Sequence, residues 1–449
     1  MSEQTLTLLQ QFRAGLYARF HQRADAVFEL MDALASDTQA RSPVELSLSP
    51  TFRRQYASVY DGLDGWQYES SEVKALLLRM APVPSPEGFR LIGLDHTPKP
   101  RPYAETVSDR SFVYQPTPIR GNKPITIGHA YSVMGQIDLH SRDTWLAVLA
   151  VARISSDQTP LEVGLSQMID LARRCDDELV FTADSEYGQP LSAACLDQCR
   201  HVTGVFRLRS NRKLYRRPPP YSGQGHPVWH GPLFRLNDPT TWSDPDESQQ
   251  NSQTDGRGRP WTTHLRRWNH LHFREARHHE FDLVQIQVTN AQGQPRFRRP
   301  CWLMICGQRT LNLTLSQAVY QRRPVMEHYF RFIKQRLLFT AAQLGTTSHE
   351  EKFVQVIILA YEQLYLARVE LEPTLRPWER FKPMPPPQQA ATPTQARRGF
   401  ARLLARIGTP AQPPKPRGKS PGRPKGYRPP TRPRYPVVKK GPTVASGPP

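Results

Sequence analysis

The spacing of apolar residues changes along this chain, and each change marks an element. Over residues 6–36, LTLLQQFRAGLYARFHQRADAVFELMDALAS, apolar side chains recur at helical spacing. SSEVKALLLRMA follows as a second helical segment, with Ser70 or Ser71 placed to cap it. Residues 1–85 thus predict a small helical bundle with a basic tilt that suits DNA. From residue 86 the period shortens. GFRLIGLDHT is a short apolar run that ends at Asp95, and PITIGHAYSVMGQID and TWLAVLAVARIS are two strands joined by a polar turn around 141–143. LEVGLSQMIDLARRC is an amphipathic helix, ELVFTADSEYG a buried strand ending at Asp184, LSAACLDQC a helix and VTGVFRLR a strand. That order over 86–208 predicts an α/β fold, a mixed sheet with helices packed on it.

The pattern lapses over 209–300. A basic start and a polar stretch precede two strand-like runs, HLRRWNHLHFREA and EFDLVQIQVTN, so this region reads as a β-rich insertion. Residues 301–371 return to compact structure, with CWLMICG as a strand. In VYQRRPVMEHYFRFIKQRLL, a helix beginning near Pro324 puts Met326, Tyr329, Phe330, Ile333 and Leu337 on one buried stripe. Beside it runs a second stripe of Glu327, Arg331 and Lys334. EEKFVQVIILAYEQLYLARVEL is a long helix, apolar on most sides. Residues 372–449 form a proline-rich tail without core signals after about Ile407, disordered when free, with one basic amphipathic helix, QARRGFARLLARIG.

Charge narrows the function classes. The 449 residues carry a formal net charge of +20, and the pI is about 10.0. Such a balance asks for a polyanionic partner. No apolar run is long enough for a transmembrane helix, and MSEQTLTLLQQFRAG lacks the pattern of a signal peptide, so nucleic acid is the better partner and no membrane is expected. The five cysteines, an odd number, suggest reduced thiols, and neither C-LDQ-C nor C-WLMI-C has the spacing of a common zinc module, so no zinc is expected. From Arg397 onward there are 14 Lys or Arg and no acid. Within this run GRPKG, containing Arg423, resembles an AT-hook, an extended element of the narrow A·T minor groove; plain phosphate contact is the alternative. The basic start of the insertion, 209–217, lies along phosphates or is a solvated loop.

Three acids stand out against this charge. Asp95 and Asp184 end apolar strands, at the rim of a sheet. Glu327 sits in the first turn of its helix, where the dipole favours a carboxylate. A surface ion pair with Arg331 would explain Glu327 alone. Three carboxylates from two strands and a helix are also a ligand set for hard divalent cations, which cut and rejoin phosphodiesters.

Tyr320-x2-Arg323-x3-Glu327-x6-Lys334 resembles the YREK signature of bacterial insertion-sequence transposases of the DDE class, and it lies downstream of the two aspartates in the order Asp, Asp, Glu. The resemblance covers 86–371. It implies a ribonuclease-H-like core, 86–208 and 301–371, interrupted by the 209–300 insertion. It also implies a catalytic, metal-binding triad of Asp95, Asp184 and Glu327 using Mg²⁺ or Mn²⁺. Tyr320, Arg323 and Lys334 would hold phosphates of double-stranded DNA near the cut. Apart from the resemblance, Arg331 on the same stripe and Arg423 in GRPKG are further candidate DNA contacts. Glu327 and Lys334 are two turns apart, about 10 Å along the axis. Family members hydrolyse a strand at the element end and the freed 3′-hydroxyl attacks a second strand, with a homodimer holding two ends, in the bacterial cytoplasm on the nucleoid. Some hold a flipped base on aromatic side chains; here Trp268 and Trp302 would serve, or are packed strand residues.

Two departures qualify the match. Pro324 follows Arg323, which places Tyr320 and Arg323 on the approach to the helix. TADSEYG differs from the Asp-Arg-Glu-Ala-type run of many relatives, and Glu186 is a rival acid. The alternatives are another ribonuclease-H-fold nuclease, or a DNA-binding protein with a decayed catalytic core.

Overall fold

The computed structural model describes residues 3–115, 124–254, 258–371, 390–416 and 422–439, with positions 378, 381 and 418. The first helices are α1 (Glu3–Tyr17), α2 (Ala24–Ser36), α3 (Ala57–Gly65) and α4 (Ser70–Met80), and short strands β1 (Phe20–Gln22) and β2 (Gln67–Tyr68) pair between them. Ser70 and Ser71 do not cap α4; Glu69 holds the N-cap position without a side-chain bond.

The α/β region runs β3 (Arg90–Pro100), β4 (Ser111–Tyr114), β5 (Ile125–Ile137), β6 (Ala147–Ile154), α5 (Pro160–Ala172), β7 (Leu179–Ala183), α6 (Pro190–Asp197) and β8 (Val202–Leu208). Helix α5 begins with a full capping box between Thr159 and Glu162, and Pro160 opens its first turn. Next come β9 (Lys213–Tyr215) and β10 (Leu233–Arg235), which pair only with each other, then β11 (Glu247–Thr254), β12 (Pro260–Leu271), β13 (Phe281–Asn290) and β14 (Cys301–Gly307). The chain closes with α7 (Leu313–Gln321), α8 (Pro324–Arg336), α9 (Thr347–Ala367) and α10 (Pro393–Ile407).

Among the described residues, ten strands form one mixed sheet in the order β11-β12-β13-β14-β8-β7-β3-β5-β4, with β6 also on β5. Only β3–β7 and β7–β8 are parallel within it. These central strands are buried on both faces, and their near-continuous apolar runs follow from that. The insertion is not a separate sheet: β12 and β13 reach the centre through β14. Trp268 and Trp302 lie inside this half, each 1 % exposed, their rings 5.7 Å apart against Phe234 and Trp242. They are packed strand residues, sealed from any base in this fold.

One apolar cluster joins α1, α2, α8, α9 and α10 to one face of the sheet, and a second lies under α5 and α6. Helix α9 is the axis of the first cluster, with Phe353, Ile357, Tyr361 and Leu364 wholly buried. The basic amphipathic helix expected in the tail forms as α10, and its apolar face is covered: Phe400, Leu403 and Leu404 are buried against the other helices.

Within α9, Glu362 is buried and accepts a hydrogen bond from the Val148 N–H at 3.0 Å. Burial pushes its carboxyl up to about 8. The folded chain therefore binds this proton more tightly than the unfolded one, so stability falls as pH rises from about 4.5 towards 8. Glu362→Gln keeps an acceptor for Val148 and carries no proton to lose. Its Tm is expected to decline less than the parent's over that window in a thermal melt series.

Candidate active site

The β3–β7 ladder ends at Gly93↔Thr182. Two residues beyond each member of that pair stand Asp95, still in β3 and on the face of Gly93, and Asp184, just past the end of β7. Strand β7 stops at Ala183, so Asp184 is a strand-end acid as expected. Strand β3 does not stop at Asp95; it continues to Pro100, paired with β5 alone. Asp95 thus lies where β3 loses its second neighbour, and a gap opens in the sheet. Asp184 turns to accept the Glu186 N–H at 2.9 Å, and Asp95 accepts the His96 N–H at 2.8 Å. Glu186 faces His96 Nδ1 at 3.6 Å, not the other acids.

Helix α8 crosses this gap because Gly93 lets it approach. A Cβ on Gly93 would lie 2.8 Å from Met326 Sδ and 2.7 Å from Ile137 Cδ1. Met326 in that position puts Glu327, in the first turn, on the side of the aspartates. Between them lies Arg323. Its guanidinium donates to Asp95 Oδ2 at 3.2 Å and to Glu327 Oε1 at 2.8 Å. Arg323 has helical backbone angles at the N-cap of α8, so Arg323 and Glu327 are an i, i+4 pair despite the intervening Pro324.

Burial, and then the charge of Asp184, raise the Asp95 carboxyl above its ordinary range, while Arg323 pulls the other way. The carboxylates raise Arg323 further against its own burial. Lys334 is half-buried; burial lowers its ammonium and Asp95 opposes the shift. Tyr320 ends α7 partly buried, its hydroxyl raised chiefly by burial. The structure therefore gathers Asp95, Asp184, Glu327, Arg323 and Lys334 in one electrostatic group with Tyr320 at its edge. Arg331 is exposed on the same helix, one turn beyond Glu327. Arg423 stands apart in the tail, its guanidinium 5.9 Å from the Tyr427 ring. Among the described residues, no three Asp, Glu, His or Cys side chains stand close enough to hold a metal ion as they are placed. Arg323 occupies the space between two of the acids. The five cysteines are free thiols.

Sequence reasoning missed a second polar group at the foot of α8. Glu350, wholly buried in the first turn of α9, accepts from Arg101 at 2.8 Å and Tyr131 at 3.1 Å, and pairs with His129 at 2.7 Å. Lys99, also wholly buried, donates to the Phe339 carbonyl, and burial lowers its ammonium to about 8. This cluster pins the loop after α8 to the far end of β3. The only sequence signal was four ionisable residues scattered through apolar segments.

Among the described residues, no helix is long and apolar enough to cross a membrane. A model of the DDE superfamily endonuclease family matches residues 15–267, more than half of the chain. No curated protein matches it.

Proposed function

Because this chain belongs to the DDE superfamily endonucleases, we propose that it is an insertion-sequence transposase, cutting DNA at the ends of its element and joining the freed strands to a target. Its large mixed sheet with flanking helices is consistent with a ribonuclease-H-like core. The observation that carries the reading is the meeting of Asp95 and Asp184 at the end of one ladder with Glu327, across a single guanidinium.

Asp95, Asp184 and Glu327 would hold Mg²⁺, with Mn²⁺ able to substitute. The donors fit: all are hard carboxylate oxygens, and the like charges of Asp95 and Asp184 favour a cation beside them. When bound, a metal pair supplies a nucleophilic water and stabilises the attacking and leaving oxygens of an in-line displacement. Arg323 stands in for that cation in the free protein. For the acids to turn to a metal, its guanidinium must leave Asp95 and Glu327, and a DNA phosphate is an anion it can grip with two N–H groups. Lys334 would hold a neighbouring phosphate two turns down the same helix. Arg331 extends that row into solvent, and Tyr320 steadies the approach to Arg323. Two element ends held together imply a homodimer, working on the bacterial nucleoid in the cytoplasm.

The test is cleavage of a plasmid carrying the gene with both flanks, with Mg²⁺, Mn²⁺ or EDTA. Metal-dependent cuts that map to two fixed ends support the transposase. Metal-dependent cuts at branched or unspecific positions instead indicate another nuclease. Binding without cutting under any metal indicates a decayed core.

A further inference from the structure

The basic tail is fastened to the folded body at two places. Just after α10, the Ala411 and Gln412 carbonyls accept from Arg53 and Arg54 at 2.8 and 2.6 Å, and the Gln412 N–H donates to Asp25 at 2.9 Å. Further on, the Tyr435 N–H donates to the Glu105 carbonyl at 2.8 Å and the Val438 N–H to the Arg110 carbonyl at 2.7 Å. Arg110 is itself buried and returns a bond to the Tyr435 carbonyl at 3.1 Å. Val438 thereby bridges in parallel to Ser111, on the short strand β4.

Ahead of the second anchor, residues 422–433 contain four Lys or Arg, four Pro and no acid. Its prolines stiffen the segment, and it turns once, where the Tyr427 N–H donates to the Pro424 carbonyl at 3.0 Å. Its second anchor lies at the foot of α8. Arg432 packs against Gly345, where a Cβ would come within 2.7 Å of its guanidinium. The Gly345 carbonyl accepts from Thr106, in the loop that also carries Glu105 and Arg110. Helix α8 runs down β3 towards this place, from Met326 at Gly93 to the Phe339 carbonyl over Lys99. The row Glu327, Arg331, Lys334 therefore points along the helix to the strap.

We propose that residues 422–433 are a cationic strap, clipped to the body at their C-terminal end, that grips the phosphates of duplex DNA lying along α8. The inference rests on the transposase reading in taking DNA to lie on that helix. The clip at 434–438 fixes where the strap stands, so its charges meet the duplex without first being ordered. A tail that merely covered the β4 edge would need no cations ahead of its clip.

The test is the salt dependence of affinity for a random-sequence duplex oligonucleotide, read with the full chain. Neutralising Arg423, Lys425 and Arg428 together to Gln is expected to make the slope of log K against log salt shallower by about two to three, at roughly 0.9 per phosphate contact. Tyr435→Pro with Val438→Pro removes the two clip N–H groups, together with the Tyr435 and Val438 side chains, and keeps every charge. It is expected to leave the slope unchanged and weaken binding roughly tenfold, since the freed tail must be ordered on binding. A slope unmoved by the triple substitution overturns the strap and leaves the transposase reading standing. A clip variant that binds as tightly as the parent also overturns it, because the tail would then act as a free arm. If the parent binds no duplex at low salt, both the strap and the reading beneath it fail.

Discussion

The Glu327→Gln protein is expected to bind end-bearing duplex as the parent does and to cut it at least ~10³-fold more slowly, the scale of losing a principal stabiliser of transition-state charge. Glutamine preserves shape and removes the anion. The fold should tolerate it, because the Glu327 side chain is 55 % exposed and its pair with Arg323 is screened by solvent. Asp95→Asn sharpens the test. Asp95 is half-buried beside Asp184, its side chain 14 % exposed, and both burial and that charge oppose its ionisation. Asparagine relieves the repulsion, so its Tm is expected to equal or exceed the parent's while cutting is lost to the same degree. Loss of activity with unchanged or raised stability is the mark of a site built for chemistry at a cost to the fold. Equal loss of both would make Asp95 a structural residue. Cleavage rates and thermal melts on the same preparations decide between them.

The second large effect lies away from the acids. Glu350→Ala is expected to destabilise the chain by about 3–5 kcal/mol, because it leaves Arg101 and Lys99 buried without their carboxylate. Glu350 is wholly buried, and its carboxylate is held below its ordinary range chiefly by its bond to His129, against the cost of burial. The neighbouring Glu351 is the control: its side chain is 44 % exposed and paired with Arg153 at the surface, so Glu351→Ala should change stability by no more than about 0.5 kcal/mol. Urea titrations of both variants check this. Equal midpoints would mean that the loop after α8 is held by apolar packing alone.

The site was legible in the sequence where the signal is local. LVFTA followed by Asp184 is a buried strand with an acid at its end, and the i, i+3, i+4 stripe from Met326 to Leu337 fixes which face Glu327 can take. The rest depended on contacts between distant residues. HTPKP, with two prolines, does not look like strand, yet β5 pairs with it throughout. The i, i+4 rule was applied to Glu327 and Arg331, whereas the bond formed is the one a turn earlier, with Arg323, because the N-cap residue already has helical angles. Strand β11 is polar on both faces and exposed along the sheet edge, so neither alternation nor an apolar run marks it. Glu350 meets Arg101 and His129 across more than 200 positions of sequence, which no spacing rule reaches.

The central claim is that Asp95, Asp184 and Glu327 together hold the catalytic divalent ions. Its most direct test is anomalous scattering from Mn²⁺ in crystals of the full chain bound to an end-bearing duplex. The account predicts peaks among these three carboxylates, with Arg323 turned away from Asp95 and Glu327 onto a phosphate. Arg323 still bridging the two acids, with DNA bound and no manganese between them, would contradict it.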